Sequence, residues 1–154
     1  MAEEMNVVMF PIEDVIPYAN NPRNNEKAVD AVANSIREFG FKKPILVDEN
    51  HVIIAGHTRR LAALKLGLKE VPCVVVDDLD EAKKKAFRLA DNRVSEFSAW
   101  DNDLLEEEMK KTASTDFSQF GFDAGEVEKV VQEEIGVKTH RCPKCGCEWT
   151  AREF

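Results

Sequence analysis

The sequence predicts a small α/β (α+β) domain, a short mixed sheet covered by helices, followed by a helical C-terminal arm and a cysteine-rich tail. Three observations predict it. Short β-rich apolar runs alternate with segments whose apolar residues recur at helical spacing, as expected of helices packed on a sheet. Glycine, proline or polar turn residues stand where one pattern gives way to the next. Charge and cysteine content change past residue 99 and again past residue 139, dividing the 154 residues into 1–99, 100–139 and 140–154. This length holds one domain of the usual ~100–150 residues with an appendage, and a 44% hydrophobic fraction suffices for a packed core.

In chain order, Val7-Val8-Met9-Phe10-Pro11-Ile12 reads as a short strand, followed by turn-rich sequence through Pro17 and Asn20-Asn21-Pro22. Over residues 26–39, Ala28, Val29, Val32, Ala33, Ile36 and Phe39 fall at helical spacing, with Gly40 placed for a helix C-terminus. Residues 44–47 and 52–55 are β-rich runs joined, as a hairpin, by Asp48-Glu49-Asn50-His51. Residues 58–66 read as a helix ended by Gly67, and 71–76 as a buried strand with Cys73 a small core residue. From Asp80 the pattern is helical through Leu89 and breaks near Asp91-Asn92. Further helices are expected at 103–111 and 125–135, the second opened by a capping-box-like pair, Asp123 and Glu126. Trp100, Phe117, Phe120 and Phe122 are expected to dock this arm onto the main domain.

Charge narrows the function classes. Residues 1–99 carry 14 basic and 16 acidic side chains (−2), residues 100–139 carry 4 and 11 (−7), and residues 140–154 carry 3 and 2 (+1). Non-specific nucleic-acid binding rests on a basic surface that displaces counterions, and no whole segment offers one. Lys83-Lys84-Lys85 reads as a solvated helix face rather than a DNA patch. A small phosphate ligand fits this balance better than a duplex. Met1-Ala2-Glu3-Glu4-Met5 lacks the basic and apolar blocks of a signal peptide, and no apolar run approaches the ~20 residues of a membrane span. A cytoplasmic chain with no membrane partner is expected.

The most informative stretch is Val52-Ile53-Ile54-Ala55-Gly56-His57-Thr58-Arg59-Arg60-Leu61-Ala62-Ala63. A β-rich run stops at a glycine and a helix-forming segment with two arginines starts at once. Gly56 lets the backbone approach a ligand closely. The next amides are the unpaired donors of a helix N-terminus, where partial positive charge favours an anion, and Arg59 and Arg60 add guanidinium charge suited to phosphate. An isolated G-x-x-R of this kind more often reads as an ordinary strand-to-helix turn with solvated arginines.

The surrounding residues change that weighing. Asn21-Pro22-Arg23, Ser35-Ile36-Arg37-Glu38-Phe39-Gly40 followed by Lys43-Pro44-Ile45-Leu46-Val47, Gly56-His57-Thr58-Arg59 and Leu89-Ala90-Asp91-Asn92 occur in an order that resembles the boxes of the ParB N-terminal domain. Its superfamily also contains sulfiredoxin. The resemblance implies a nucleoside triphosphate, CTP in ParB, bound with magnesium. Gly56, His57, Thr58 and Arg59 would lie at the phosphates, with Arg60 beside them and Asn21 and Arg23 on the opposite wall. Asp91 and Asn92 would be the catalytic pair that holds the metal or orders its waters, hard oxygen ligands being what magnesium prefers.

The chain departs from the family in several places. The longer N-P-x-Q-P-R is not reproduced, G-H-T-R stands for G-E-R-R, and Asp91 is one methylene shorter than the family's glutamate. Sulfiredoxin carries its nucleophilic cysteine where His57 stands, so this chain is not a sulfiredoxin. ParB follows this domain with a helix-turn-helix DNA reader, whereas residues 100–139 are acidic. DNA contact is therefore expected through a partner or a dimer. The G-H-x-R variant is often found on mobile elements beside DNA methyltransferases, but no Asp-Pro-Pro-Tyr-like motif is present and the chain is no methyltransferase.

The tail, His140-Arg141-Cys142-Pro143-Lys144-Cys145-Gly146-Cys147-Glu148-Trp149, looks like one knuckle of a zinc ribbon. Cys142 and Cys145 are expected zinc ligands, with Cys147 and His140 completing the site, or with two chains sharing one zinc in a homodimer. The alternatives are a disordered tail with reduced thiols and a redox pair. Three functions follow. The first is a nucleotide-binding, NTP-hydrolysing switch in DNA transactions of a phage or other mobile element. The second is a non-enzymatic adaptor for DNA or protein, such as a methyltransferase partner. The third is a ParB-like nuclease using His57 with nearby carboxylates.

Overall fold

The structure, a computed structural model, describes residues 5–112, 114–122, 137–141 and 148–152. Its two compact units are Met1–Ala99 and Trp100–Phe154. The first contains β1 (Val7–Pro11), α1 (Glu26–Phe39), β2 (Ile45–Val47), β3 (Ile53–Ala55), α2 (His57–Lys65), β4 (Glu70–Val75) and α3 (Glu81–Val94). The sheet order is β1-β4-β2-β3. β1 lies antiparallel to β4, and β3 antiparallel to β2. Because α2 carries the chain back across the sheet, β4 returns parallel to β2, pairing Ile45 with Cys73 and Val47 with Val75. This is the mixed α/β domain that the alternating patterns predict.

Local chemistry fixes each turn. Asp48 Oδ1 accepts from the amides of Asn50 and Val52, both at 2.9 Å, closing the β2–β3 hairpin. The outer edge of β3 is covered, since the Ile53 amide donates to Ile16 O and the Ile16 amide to His51 O. Val15, Ile45, Val47, Ile53, Ala63, Val71 and Cys73 form the centre of the core, all fully buried. Burial pushes the Cys73 thiol up to about 11, so it remains a neutral packing group.

Two expectations are corrected here. Helix α3 does not break at Asp91-Asn92 but continues to Val94. Asn92 is tolerated inside it because its Nδ2 donates 2.9 Å back to Arg88 O, one turn earlier. Nor is Lys83-Lys84-Lys85 wholly a solvated face, for Lys84 is only 1% exposed. Its Nζ lies 2.7 Å from each Glu49 oxygen and 3.1 Å from Glu81, which latches α3 to the hairpin turn. Lys84 is buried while Glu49 and Glu81 reach solvent, so truncating Lys84 removes both the packed stem and the ion pairs. Lys84→Ala is therefore expected to lower the melting temperature more than Lys83→Ala or Lys85→Ala. Equal melts for the three variants would refute the latch.

The second unit contains α4 (Asn102–Lys111), capped by Asp101, and the antiparallel pair β5 (Val137–Arg141) and β6 (Glu148–Arg152). Within it Trp100 and Phe117 each lie 5.8 Å from the Phe122 ring, and Phe120 lies 6.4 Å from Phe117. The second expected arm helix, with Asp123, and the expected zinc ligands Cys142, Cys145 and Cys147 lie outside the described residues, as does the side chain of His140.

Candidate anion-binding cleft

The cleft begins where β3 ends. Gly56 links Ala55 to α2 with φ 115° and ψ 24°, left-handed backbone that an L side chain rarely adopts. A Cβ here would also stand 3.2 Å from Arg59 Cζ and 3.3 Å from two side-chain carbons of buried Ile45. The first α2 hydrogen bond runs from the Arg60 amide to Gly56 O, at 3.1 Å. No side chain caps α2 and no acidic residue occupies its first turn. Its leading amides and positive dipole end thus have no capping side chain and no acidic residue of their own turn.

About 170 Å³ of space opens in front of this turn. Asn21, Arg23, Gly56, His57, Thr58, Arg59, Asp91 and Asn92, far apart in sequence, all line it. Asn21 Oδ1 accepts from the Arg23 amide at 3.3 Å, an Asx turn that shapes the Asn-Pro-Arg loop. Arg23 Nη1 then crosses to Asn92 Oδ1 at 3.0 Å, joining the Asn-Pro-Arg segment to the Leu-Ala-Asp-Asn segment. Arg59 is half-buried, its Nη1 donating to Lys43 O at 3.1 Å and also to Pro44 O. Burial lowers its pKa and the charge of Asp91 opposes that shift.

Arg60 is the exception among the expected site residues. Consecutive helix positions point about 100° apart, and Arg60 Nε donates 2.7 Å to Val15 O instead of entering the cleft. It lines a neighbouring depression with Pro17, Tyr18 and Leu61. Among the cleft residues absent from the sequence expectation are Tyr18 and Arg88. Arg88 is 7% exposed, bonds Ile53 O through Nε at 3.2 Å and stacks 4.0 Å over the Tyr18 ring. A helix continued through Asp91-Asn92 would have revealed Arg88, because residues 88, 91 and 92 share one face at i, i+3 and i+4.

His57 Nε2 accepts the Tyr18 amide at 3.1 Å, which requires that nitrogen to be unprotonated. Burial lowers the His57 pKa, and the charges of Arg88 and Arg60 lower it further. The unfolded chain takes up this proton near pH ~6.5 while the folded chain resists, so the stabilisation is full above that pH. It is lost progressively as pH falls toward the folded value. Between about pH 7.5 and about pH 5.5, the melting temperature of wild type should fall further than that of His57→Gln. Parallel curves would show that His57 does not carry this linkage.

Magnesium, which the family resemblance implies, would rest on Asp91 together with phosphate oxygens and water. Asp91 is the single carboxylate among the cleft's lining residues, which also include Arg23, Arg59 and Arg88. The Asn92 amide is engaged at both ends, by Arg23 at its oxygen and by Arg88 O at its nitrogen.

Comparison with known proteins places this geometry. The ParB N-terminal domain family matches residues 1–93. The ParB-like nuclease domain-containing protein YnaK of Escherichia coli K12 is 37% identical over 86 residues, covering 55% of this chain and 99% of that one. The chromosome-partitioning protein Spo0J of Thermus thermophilus is 38% identical over 89 residues, 54% of this chain. Only 32% of Spo0J is matched, so this chain spans about a third of that relative. A crystal structure of C-terminally truncated chromosome-partitioning ParB from Caulobacter crescentus, complexed with CTP-γ-S, aligns with TM-score 0.64 at 25% identity over 82% of this chain and 77% of that one. The matched span includes every cleft residue named above, and the chain belongs to the ParB N-terminal domain family.

Proposed function

We propose that this chain is a nucleotide-binding module that takes the triphosphate of a cytidine nucleotide in the cleft at Gly56. One observation carries the reading: the uncapped N-terminus of α2 opens among three arginines, Arg23, Arg59 and Arg88, in a unit that is otherwise slightly acidic. Helix amides and guanidinium groups converging on one space are the donor set a phosphate chain requires. Whole-ligand pockets run ~300–1,000 Å³, so about 170 Å³ suits the phosphates, with the nucleoside at the open rim. The CTP analogue held by the Caulobacter relative supports cytidine as the base.

The chromosome-partitioning name of Spo0J supports a role in DNA transactions, and the proposal extends this to those of a mobile element, with DNA reached through a partner or dimer. Hydrolysis is not part of the proposal, because the Asn92 amide is engaged by Arg23 and by Arg88 O. The nuclease alternative needs a free base, and the Nε2 lone pair of His57 is already occupied. Thermal shift with CTP, UTP, ATP, GTP and inorganic triphosphate tests the reading. CTP should raise the melting temperature most and inorganic triphosphate should raise it measurably. No shift with any of the five would reject the proposal.

A further inference from the structure

We infer that Arg88 is the fixed phosphate-binding residue of this cleft, and that the Tyr18 ring is the positioning group that holds its guanidinium. The inference rests on the nucleotide-binding reading and names the contact that seats the phosphate chain on the cleft wall. Its starting point is an imbalance of buried charge. Lys84 and Arg88 are the cations buried among the described residues. Lys84 is balanced by Glu49 at 2.7 Å and Glu81 at 3.1 Å. Arg88 makes no ion pair with any described residue; its partners are a carbonyl and a ring. Arginine is almost never fully buried unless paired, because a desolvated charge is costly until an opposite charge answers it. A phosphate in the cleft supplies that opposite charge.

The partners that Arg88 does have leave its reactive end open. Nε donates to Ile53 O at 3.2 Å, and the guanidinium carbon stands 4.0 Å over the centre of the Tyr18 ring. Nη1 and Nη2, which carry only donors, have no hydrogen-bond partner among the described residues. No sealed-in side-chain nitrogen or oxygen of a described residue lacks a hydrogen bond, so these two groups reach open space. The space that Arg88 lines is the cleft. Arg23 and Arg59 differ, since each commits Nη1 to protein oxygens. A guanidinium held at Nε and across one face presents its remaining donors as a fork already oriented, which suits two oxygens of one phosphate. Tyr18 is separable into two roles. Its backbone amide serves His57, and its ring serves Arg88.

The experiment is titration calorimetry with CTP and with inorganic triphosphate, both in magnesium, on wild type, Arg88→Met, Arg88→Lys, Tyr18→Phe and Tyr18→Leu. Arg88→Met should weaken both ligands alike, by about 30-fold, the loss expected for a charged hydrogen bond. Arg88→Lys should recover part of it. Tyr18→Phe keeps the ring and should bind as wild type, whereas Tyr18→Leu should bind both ligands several-fold more weakly. Tyr18→Leu leaves the bond from Arg88 to Ile53 O in place, so it decides the question should Arg88→Met not fold. Arg88→Met or Tyr18→Leu binding both ligands as tightly as wild type overturns the inference while the nucleotide reading stands. So does a loss confined to CTP, which would put Arg88 against the base or sugar. Tyr18→Phe falling as far as Tyr18→Leu would assign the effect to the hydroxyl and overturn the positioning role. No binding of either ligand by wild type overturns the inference and the nucleotide reading together.

Discussion

Gly56→Ala is expected to melt roughly 15 °C below wild type and to lose measurable CTP binding. Two costs add. Left-handed backbone costs an L residue about 1–2 kcal/mol. The new methyl also presses on Ile45, which is wholly buried, and on an Arg59 guanidinium held by the carbonyls of Lys43 and Pro44. Overpacking of this kind costs about 1–3 kcal/mol. A total near ~3 kcal/mol, at ~4–8 °C per kcal/mol for a domain of this size, gives the expected shift. Gly67→Ala is the control. Gly67 also has positive φ, at 70°, but a Cβ there meets nothing within 4 Å. That variant should melt only a few degrees lower and bind CTP normally when titrated well below its transition. If Gly56→Ala retains wild-type melting and affinity, the turn is neither strained nor close to a ligand.

The Gly56 junction was legible because two local signals coincide there. β-branched residues end at Ala55, and helical spacing of Leu61 and Leu64 begins on the other side of a glycine. Helix α1 was legible for the same reason, periodicity ended by Gly40. Around Asp91-Asn92 the local signal misled. Two polar residues in a helical pattern suggest an end, but the helix is sustained by the bond from Asn92 to Arg88 O and by the Lys84 latch. Both depend on where α3 lies against the β2–β3 hairpin, which composition does not reveal. Ending the helix early also removed Arg88 from view.

Arg59 and Arg60 show the same limit from the other side. As neighbours in sequence they look equivalent, yet one lines the cleft and the other ties the segment after β1 to α2 through Val15 O. Tyr18 could not be found at all from its own surroundings. It matters because Arg88 stacks on its ring and His57 accepts its amide proton, contacts made across 70 and 39 residues of chain.

Arg59→Ala is expected to weaken CTP binding about 100-fold. Hydrogen bonds to charged groups contribute about 1.5–3 kcal/mol each, and a guanidinium can give phosphate two in parallel. A loss near ~3 kcal/mol corresponds to about two decades in affinity. Arg59→Lys should recover only part of it, since ammonium restores charge without the planar fork. The carbonyls of Lys43 and Pro44 lose a donor in Arg59→Ala, so its melting curve must be measured first and the titration run well below the transition. Equal affinity for wild type and Arg59→Ala would remove Arg59 from the phosphate site.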